Sequence, residues 1–316
     1  MSHRIQGLNI LFAFAHPDDE GFATGGTLAM LVDQGARITL VCATNGDVGE
    51  ISDPSLATPA TLGQVRQEEL RRAMDITGVQ DIRFLNYRDS GMVDTADNHH
   101  PNALMQADPT RVVGQLVAIM REARPEVVIT HDPTGGYGHP DHTTMCQHAT
   151  TAFRLAGDAS AYPEHLSEAQ QPWTPRLLYY VCFPRSVFRR MWQSMLDIGV
   201  TPPFASKEID VLGTPDDEVT TVLDVGPFVD TKIASLNCHR TQIDPNGPFS
   251  QLPEDMTRDI MRTEYYTLVL PAAAGPGAAG PGAAGPGTAG PGTAGKDVDI
   301  LAALSEAGSG GVNSPL

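Results

Sequence analysis

Residues 8–20 read LNILFAFAHPDDE, a near-continuous apolar run that ends in a cluster of polar residues. An apolar stretch such as residues 8–15 is the pattern of a strand that is buried on both faces of a parallel sheet. Strand-like and helix-like segments alternate from there to residue 130. The alternation predicts a doubly wound α/β layer, in which ligands bind beyond the carboxyl ends of the strands.

The other elements follow from the hydrophobic pattern along the chain. Further strands are predicted at residues 38–43, 82–85, 126–130, 177–181 and 219–223. Helices are predicted at residues 25–32, 61–77, 109–123, 186–198 and 230–242. We expect residues 1–160 to form the catalytic layer and residues 161–270 to form a smaller C-terminal part of the same catalytic unit.

The end of the chain has a different composition. Residues 271–295 consist mainly of the repeated unit Ala-Ala-Gly-Pro-Gly, with Thr replacing the first Ala in the last copies. The period of five differs from the three-residue repeat of collagen, and apolar side chains that could bury a core are almost absent. This segment is predicted to be a flexible linker. The tail at 296–316 has no predicted role.

The charge balance narrows the range of partners. The 316 residues are 41% apolar and include 21 Lys and Arg against 38 Asp and Glu, a formal net charge of −17. This charge disfavours nucleic acid and anionic membrane surfaces. No apolar stretch is long enough to span a bilayer, no secretion signal is evident, and the four dispersed cysteines are typical of reduced thiols. We expect a cytoplasmic protein that acts on a small molecule; homo-oligomer formation stays open.

The first polar cluster, residues 15–20, offers metal ligands and a base. His16 and Asp19 are three residues apart across a turn, so both side chains can point at one ion. Asp18 can then act as general base toward a water bound to the metal. The alternative is that Asp18 or Asp19 only caps the following helix and that His16 is a core imidazole.

A second cluster, GYGHPDH at residues 136–142, follows the predicted strand at 126–130. One of His139 and His142 would complete the metal shell, and the other would stabilise the tetrahedral intermediate or protonate the leaving amine. Asp141 can hold an imidazole in one tautomer. Tyr137 can donate its hydroxyl to the developing oxyanion. The alternative is a glycine-rich turn with surface histidines.

Together the two clusters predict a metal-dependent hydrolase. Two imidazoles and a carboxylate with one open position suit Zn²⁺, although Fe²⁺, Mn²⁺ or Co²⁺ also accept these donors. Other histidines, His99, His100, His131 and His148, have no spacing that singles them out as ligands. A predicted helix could place Lys232, His239 and Gln242 on one face. A solvated helix face with no functional role explains this spacing equally well.

These residues resemble the PIG-L/LmbE-like family of zinc-dependent N-acetylglucosaminyl deacetylases. The resemblance rests on the motifs at 15–20 and 135–142, is supported by 66–70 and by Lys232 with 239–242, and covers residues 5 to about 270. Within the family it is strongest to the deacetylases of mycothiol biosynthesis and to mycothiol S-conjugate amidases. It implies a Rossmann-like sheet with a smaller C-terminal lobe.

The resemblance also implies roles for individual residues. His16, Asp19 and His142 would bind zinc, and Asp18 would be the general base. His139 would stabilise the intermediate or act as acid, and Asp141 would tune histidine protonation. Tyr137 would contact the substrate carbonyl oxygen, and Arg66 would contact the polar substrate, although Arg66 with Glu69 is by default a solvated ion pair.

The implied reaction is removal of an N-acetyl group from an N-acetylglucosaminyl small molecule by attack of zinc-bound water. One alternative is an amidase that cleaves a larger acyl group from a glucosaminyl thiol conjugate. A second is a catalytically idle sugar-binding protein, which would leave Asp18 without a purpose. A third, a nucleotide-cofactor protein, is disfavoured because the first turn lacks G-x-G-x-x-G.

His131 replaces an aromatic residue that is common in the family, and the 88–108 loop lies where the family varies with substrate.

Overall fold

A computed structural model describes residues 5–168, 170–203 and 212–271. Strands β1–β7 span Asn9–Phe14, Arg37–Thr44, Asp81–Tyr87, Val127–His131, Leu177–Cys182, Thr221–Asp224 and Thr263–Pro271. Helices α1–α7 span Asp19–Asp33, Leu62–Thr77, Pro109–Ala123, Pro140–Leu155, Arg185–Asp197, Val229–Leu236 and Glu254–Met261. Within the described ranges, no helix has both the length and the apolar character that crossing a bilayer requires.

The seven strands of the described residues form one sheet in the order β3-β2-β1-β4-β5-β7-β6. Strands β3, β2, β1, β4 and β5 run parallel to one another, whereas β7 pairs antiparallel with β5 and with β6. The predicted α/β fold, a mostly parallel sheet with flanking helices, is confirmed.

The first strand is buried from both sides. Ile10, Phe12 and Phe14 pack into a core that also includes side chains of α1 and α2. Leu11 and Ala13 point the other way, into a core formed with α3 and α4. The uninterrupted apolar run of β1 therefore reflects helices on both faces of the sheet.

The C-terminal part extends the same sheet through β5, β7 and β6. Neither β7 nor α7 is among the elements predicted from the sequence. The predicted helix at 230–242 is wrong in its second half, because α6 ends at Leu236. The residues after it turn away so that His239 and Thr241 reach buried carboxylates of other elements.

The predicted boundary at residue 160 lies between α4 and β5. The division into two parts stays a prediction. Beyond Pro271, the linker predicted for residues 271–295 and the tail at 296–316 lie outside the described residues.

Candidate metal centre

The sheet brings the two polar clusters together at one edge. β1 and β4 pair in parallel, with Ala13 opposite Thr130, so the loops that follow them leave the same edge. His16 lies two residues beyond the end of β1, and the second cluster leads into α4. The strand order reverses between these two strands, which is where open α/β sheets bind ligands. The sequence alone could not show that β1 and β4 are neighbours.

Three predicted ligand atoms converge at this edge. His16 Nδ1 lies 3.2 Å from His142 Nε2 and 3.4 Å from Asp19 Oδ2. His142 Nε2 lies 3.1 Å from Asp19 Oδ1, and the three side chains are between 6% and 11% exposed. Ligands of a tetrahedral ion at the usual zinc bond lengths are about 3.3 Å apart. The spacing therefore fits one small divalent ion.

The outer nitrogens of both rings have partners that fix the neutral tautomers. His142 Nδ1 lies 3.1 Å from the carbonyl oxygen of Gly135, which can only accept a hydrogen bond. His16 Nε2 lies 3.2 Å from the carboxylate of Asp141. In neutral rings these two nitrogens carry the protons, so the inner nitrogens present lone pairs. Two lone pairs and the carboxylate of Asp19 face one another, and a cation satisfies all three.

The electrostatics of the cluster favour positive charge at the same place. Burial lowers the pKa of His16, but nearby carboxylates, Asp89 foremost, outweigh it and hold that pKa well above its usual value. Burial raises the pKa of Asp19, but His142 and His131 outweigh it and hold that pKa well below its usual value. The centre therefore attracts either a proton on His16 or a metal ion between the ligands.

Asp18 lies beside the predicted ligands in a strained backbone conformation. Its φ of 125° is unfavourable for a residue other than glycine. It occupies the N-cap position of α1, but its side chain makes no capping hydrogen bond. The alternative interpretation of Asp18 as a helix cap is therefore wrong. Its carboxylate is 29% exposed and lies 3.1 Å from Arg66 Nη2. Burial raises the pKa of Asp18, and the guanidinium opposes that rise.

Arg66 links Asp18 to the surrounding loops. Its guanidinium donates hydrogen bonds to the carbonyl oxygens of Pro17 at 2.7 Å and Gly46 at 2.9 Å. A side chain at Gly46 would collide with it, since a Cβ there would lie 2.3 Å from Nη1. Arg66 and Glu69 are each 3% exposed, so the solvated ion pair assumed by default is wrong.

His139 and Tyr137 are held as neutral hydrogen-bond donors. His139 Nδ1 accepts from the backbone N–H of Asp141 at 3.2 Å, which leaves the proton of a neutral ring on Nε2. Burial, followed by the charges of His16 and His142, lowers the pKa of His139 to about 2. Burial raises the pKa of Tyr137, whose ring centroid lies 5.3 Å from that of His142. Both can donate a proton in a hydrogen bond beside the ligand triangle.

The carboxylate of Asp141 binds His16. The contact of Asp141 with His139 is a hydrogen bond from the backbone N–H of Asp141 to His139 Nδ1. Ser90 holds that carboxylate with its backbone N–H at 2.8 Å and with its hydroxyl. Asp89 adds a second carboxylate 3.6 Å from His16 Nε2. Asp89 and Ser90 are not among the site residues predicted from the sequence. They follow the end of β3, and that position was the only signal available.

His131, the last residue of β4, is a further member that the sequence analysis left out. Its ring stacks on His142 with centroids 4.0 Å apart, and its Nε2 accepts from the backbone N–H of Ala15 at 3.1 Å. The same nitrogen lies 3.3 Å from Asp19 Oδ2. Burial, followed by the charge of His142, lowers the pKa of His131 to about 4. Its place at a strand end could have identified it.

Other donor sets overlap with the predicted one. Within the described part of the chain, three groups of side chains are close enough to hold an ion: His16 with His139 and His142, Asp19 with His131 and His142, and His16 with Asp89 and Asp141. Each includes at least one of the predicted ligands. His99, His100 and His148 belong to none of the three.

Comparison with known proteins gives consistent matches. The PIG-L family, described as GlcNAc-PI de-N-acetylase, matches residues 11–153. Curated relatives from Geodermatophilus obscurus and Thermobifida fusca are each named 1D-myo-inositol 2-acetamido-2-deoxy-alpha-D-glucopyranoside deacetylase. The first is 40% identical over 82% of this chain and 91% of its own length. The second is 40% identical over 82% and 92%.

Solved structures share the fold at lower identity. N,N'-diacetylchitobiose deacetylase from Pyrococcus horikoshii aligns with a TM-score of 0.60 and 21% identity over 83% of each chain. The 4-carboxy-2-hydroxymuconate hydratase GalB from Pseudomonas putida aligns with a TM-score of 0.53 and 19% identity, over 86% of this chain and 100% of its own. A deacetylase and a hydratase share this fold, so it does not define the reaction.

Proposed function

This chain belongs to the PIG-L family and is an amide-hydrolysing enzyme, as its two motifs predict, and we propose that it removes the acetyl group from an N-acetylglucosaminyl small molecule. Support comes from curated relatives that are 40% identical and are named as deacetylases of an inositol glycoside of N-acetylglucosamine. We also propose that the reaction depends on a divalent metal.

The observation that carries the metal proposal is the convergence of His16 Nδ1, His142 Nε2 and the Asp19 carboxylate, which lie 3.1–3.4 Å from one another. We assign the ion to His16 Nδ1, His142 Nε2 and the carboxylate of Asp19, with Zn²⁺ as the metal that suits these donors and Fe²⁺ as an alternative. A divalent ion here would polarise the amide carbonyl and lower the pKa of a water molecule. Asp141 would keep the outer proton of His16 in place.

Asp18 is the proposed general base. Its raised pKa brings it closer to neutrality, where a carboxylate base is most effective. It would accept a proton from the attacking water as the water oxygen bonds to the acyl carbon. When the carbon–nitrogen bond breaks, the same proton would pass to the nitrogen, so that acetate and a free amine leave.

His139 and Tyr137 are proposed to stabilise the negative oxygen of the tetrahedral intermediate. Both are neutral donors, and donors held in advance at a developing oxyanion contribute strongly to acyl-transfer reactions. The low pKa of His139 keeps its ring neutral near pH 7, so that it holds no acidic proton for the amine. This leaves Asp18 as the proton carrier in both steps.

Arg66 is proposed to position Asp18. Its guanidinium is buried and is bonded to Pro17 and Gly46, and it holds the Asp18 carboxylate at 3.1 Å. Direct contact of Arg66 with substrate stays a prediction.

An amine-release assay tests the proposed function. The full-length protein is incubated with N-acetylglucosaminyl-inositol before and after chelation, and both free amine and acetate are measured. We expect equal amounts of the two products, loss of activity on chelation, and recovery with Zn²⁺ or Fe²⁺. Absence of both products from every metal-reloaded sample would refute the proposal.

A further inference from the structure

A cavity of ≈ 380 Å³ opens beside the metal centre. Asp18, Asp19, Tyr137 and His142 border one side of it. Most of the remaining wall is apolar, and its largest members are Phe22, Phe183, Phe188, Met191, Phe249 and Met261. Its volume is within the range of sites that enclose a small organic group.

The aromatic wall is continuous with the catalytic residues. Phe22 lies on α1, three residues after the ligand Asp19. Its ring contacts Phe249 and Phe183 with centroid distances of 5.1 and 5.8 Å. Phe183 in turn contacts Phe188 at 5.7 Å. The four rings therefore form one contiguous aromatic cluster in the wall.

Two charged groups in the wall are paired with each other. Lys232 and Glu264 line the cavity and form an ion pair of 2.7 Å, with side chains 2% and 1% exposed. Glu264 also accepts hydrogen bonds from the backbone N–H groups of Gly26 and Thr27. The pair itself therefore carries no net charge. A further carboxylate in the wall, Asp132, accepts hydrogen bonds from Thr134, Gly136 and Thr214.

This wall does not match the compound named for the relatives. An inositol N-acetylglucosaminide carries hydroxyl groups around both rings, and its largest hydrocarbon substituent is the methyl group of the acetyl. Hydroxyls placed against phenyl rings would lose hydrogen bonds to water without replacement. An alkyl, aryl or thioether group would bury apolar surface there instead.

We propose that the cavity is a subsite for an apolar substituent of several carbons carried by the amino-sugar substrate. The inference rests on the proposed function, because it assumes amide hydrolysis at the adjoining centre. The substituent could belong to the acyl group or to the aglycone, and the two sources are distinguished by substrate design.

Two substrate series test the inference. The first lengthens the N-acyl group of glucosaminyl-inositol from acetyl to hexanoyl, and the second keeps the acetyl group and replaces inositol with methyl to octyl aglycones. Burial of one methylene favours binding by roughly fourfold. We expect kcat/KM to rise at least tenfold along one of the series. Activity on acetyl substrates without a rise in either series would overturn the subsite and leave the proposed function intact.

Matched variants test the location of the subsite. Val187 lines the cavity, whereas Val222 lies on β6, outside it, and is 48% exposed. Val187→Phe should reduce the preference for the longer substituent at least tenfold, and Val222→Phe should leave it unchanged. Equal preferences in both variants would place the subsite elsewhere and contradict the inference.

Direct binding separates the subsite from catalysis. Calorimetry with the Asp18→Asn variant gives the Kd of the longest and shortest members of the preferred series without turnover. The longer compound should bind at least tenfold more tightly, and Ala23→Leu, a second filling of the cavity, should remove the difference. Equal affinities in the Asp18→Asn protein would overturn the inference.

Discussion

The two ring nitrogens of His16 have different partners, and this division determines what the residue can do. Nδ1 faces Asp19 and His142, and Nε2 faces Asp141. The inner contacts could be anticipated from a histidine and an aspartate three residues apart after a buried strand. The outer support could not, because Ser90 reaches Asp141 across 51 positions of sequence and no local pattern marks the pair.

Ser90→Ala should weaken metal binding without removing a ligand. It frees one oxygen of Asp141, so that the carboxylate orients His16 less firmly. Loss of such a supporting group typically lowers metal affinity about 10–100-fold. Competition with a chelator measures the effect, with Ser160→Ala as control, since Ser160 is exposed and donates its hydroxyl and backbone N–H to Asp158 in a surface turn. Unchanged affinity in Ser90→Ala would show that Asp141 is held by other means.

Asp18→Asn should retain the metal and lose turnover. The amide keeps the shape of the side chain but cannot accept the proton of water, and loss of a general base typically lowers the rate about 10²–10⁴-fold. Steady-state kinetics and elemental analysis of the same sample measure both quantities. Asp33→Asn, at the far end of α1, is the control. Near-normal turnover of Asp18→Asn would exclude it as the base.

Arg66→Gln should change the pH profile in a defined direction. The guanidinium lowers the pKa of Asp18, so its removal raises that pKa further. Asp18 acts as a base only when it is ionised, so kcat/KM should begin to fall at a higher pH as the solution is acidified. Arg71→Gln, an exposed change on the same helix, should keep the original profile. A shift of the acidic limb to lower pH would contradict this role.

At the scale of elements, strands and helices with strong periodicity were predictable, and those that depend on distant partners were not. The long helix predicted at 61–77 appears as α2, Leu62–Thr77. By contrast, Lys232, His239 and Gln242 do not share one helix face. They bind Glu264, Glu20 and the backbone of Glu50 respectively. Hydrogen bonds to separate elements determine the conformation of residues 232–242. The hydrophobic periodicity of the segment carries no information about those bonds.

The pair of Lys232 and Glu264 ties α6 to β7, and its removal should destabilise the protein. Lys232→Met leaves a buried carboxylate without its cation, which typically lowers the free energy of unfolding by about 3–5 kcal/mol. Urea denaturation followed by circular dichroism measures the change. Arg262→Met, which breaks an exposed pair with Asp224, should change the free energy by about 1 kcal/mol or less. Similar losses in both variants would show that the buried pair has no special role.

At the scale of the whole molecule, the alternation of segments was sufficient for the fold class but not for the strand order. Adjacency of β1 and β4 results from a crossover that no local pattern encodes. The apolar cavity was unpredictable for the same reason, since Phe22, Phe188 and Phe249 come from three distant segments. The place of the two motifs at one edge of the sheet agrees with the sequence pattern, because each motif follows a buried strand. The role of their residues as metal ligands stays a prediction.

The central claim is that His16, Asp19 and His142 hold one divalent ion. Anomalous diffraction at the zinc absorption edge, from crystals of the zinc-loaded full-length protein, tests it most directly. We predict an anomalous peak within bonding distance of His16 Nδ1, His142 Nε2 and the Asp19 carboxylate. A peak between His16 Nε2, Asp89 and Asp141, with none at the predicted position, would contradict the account.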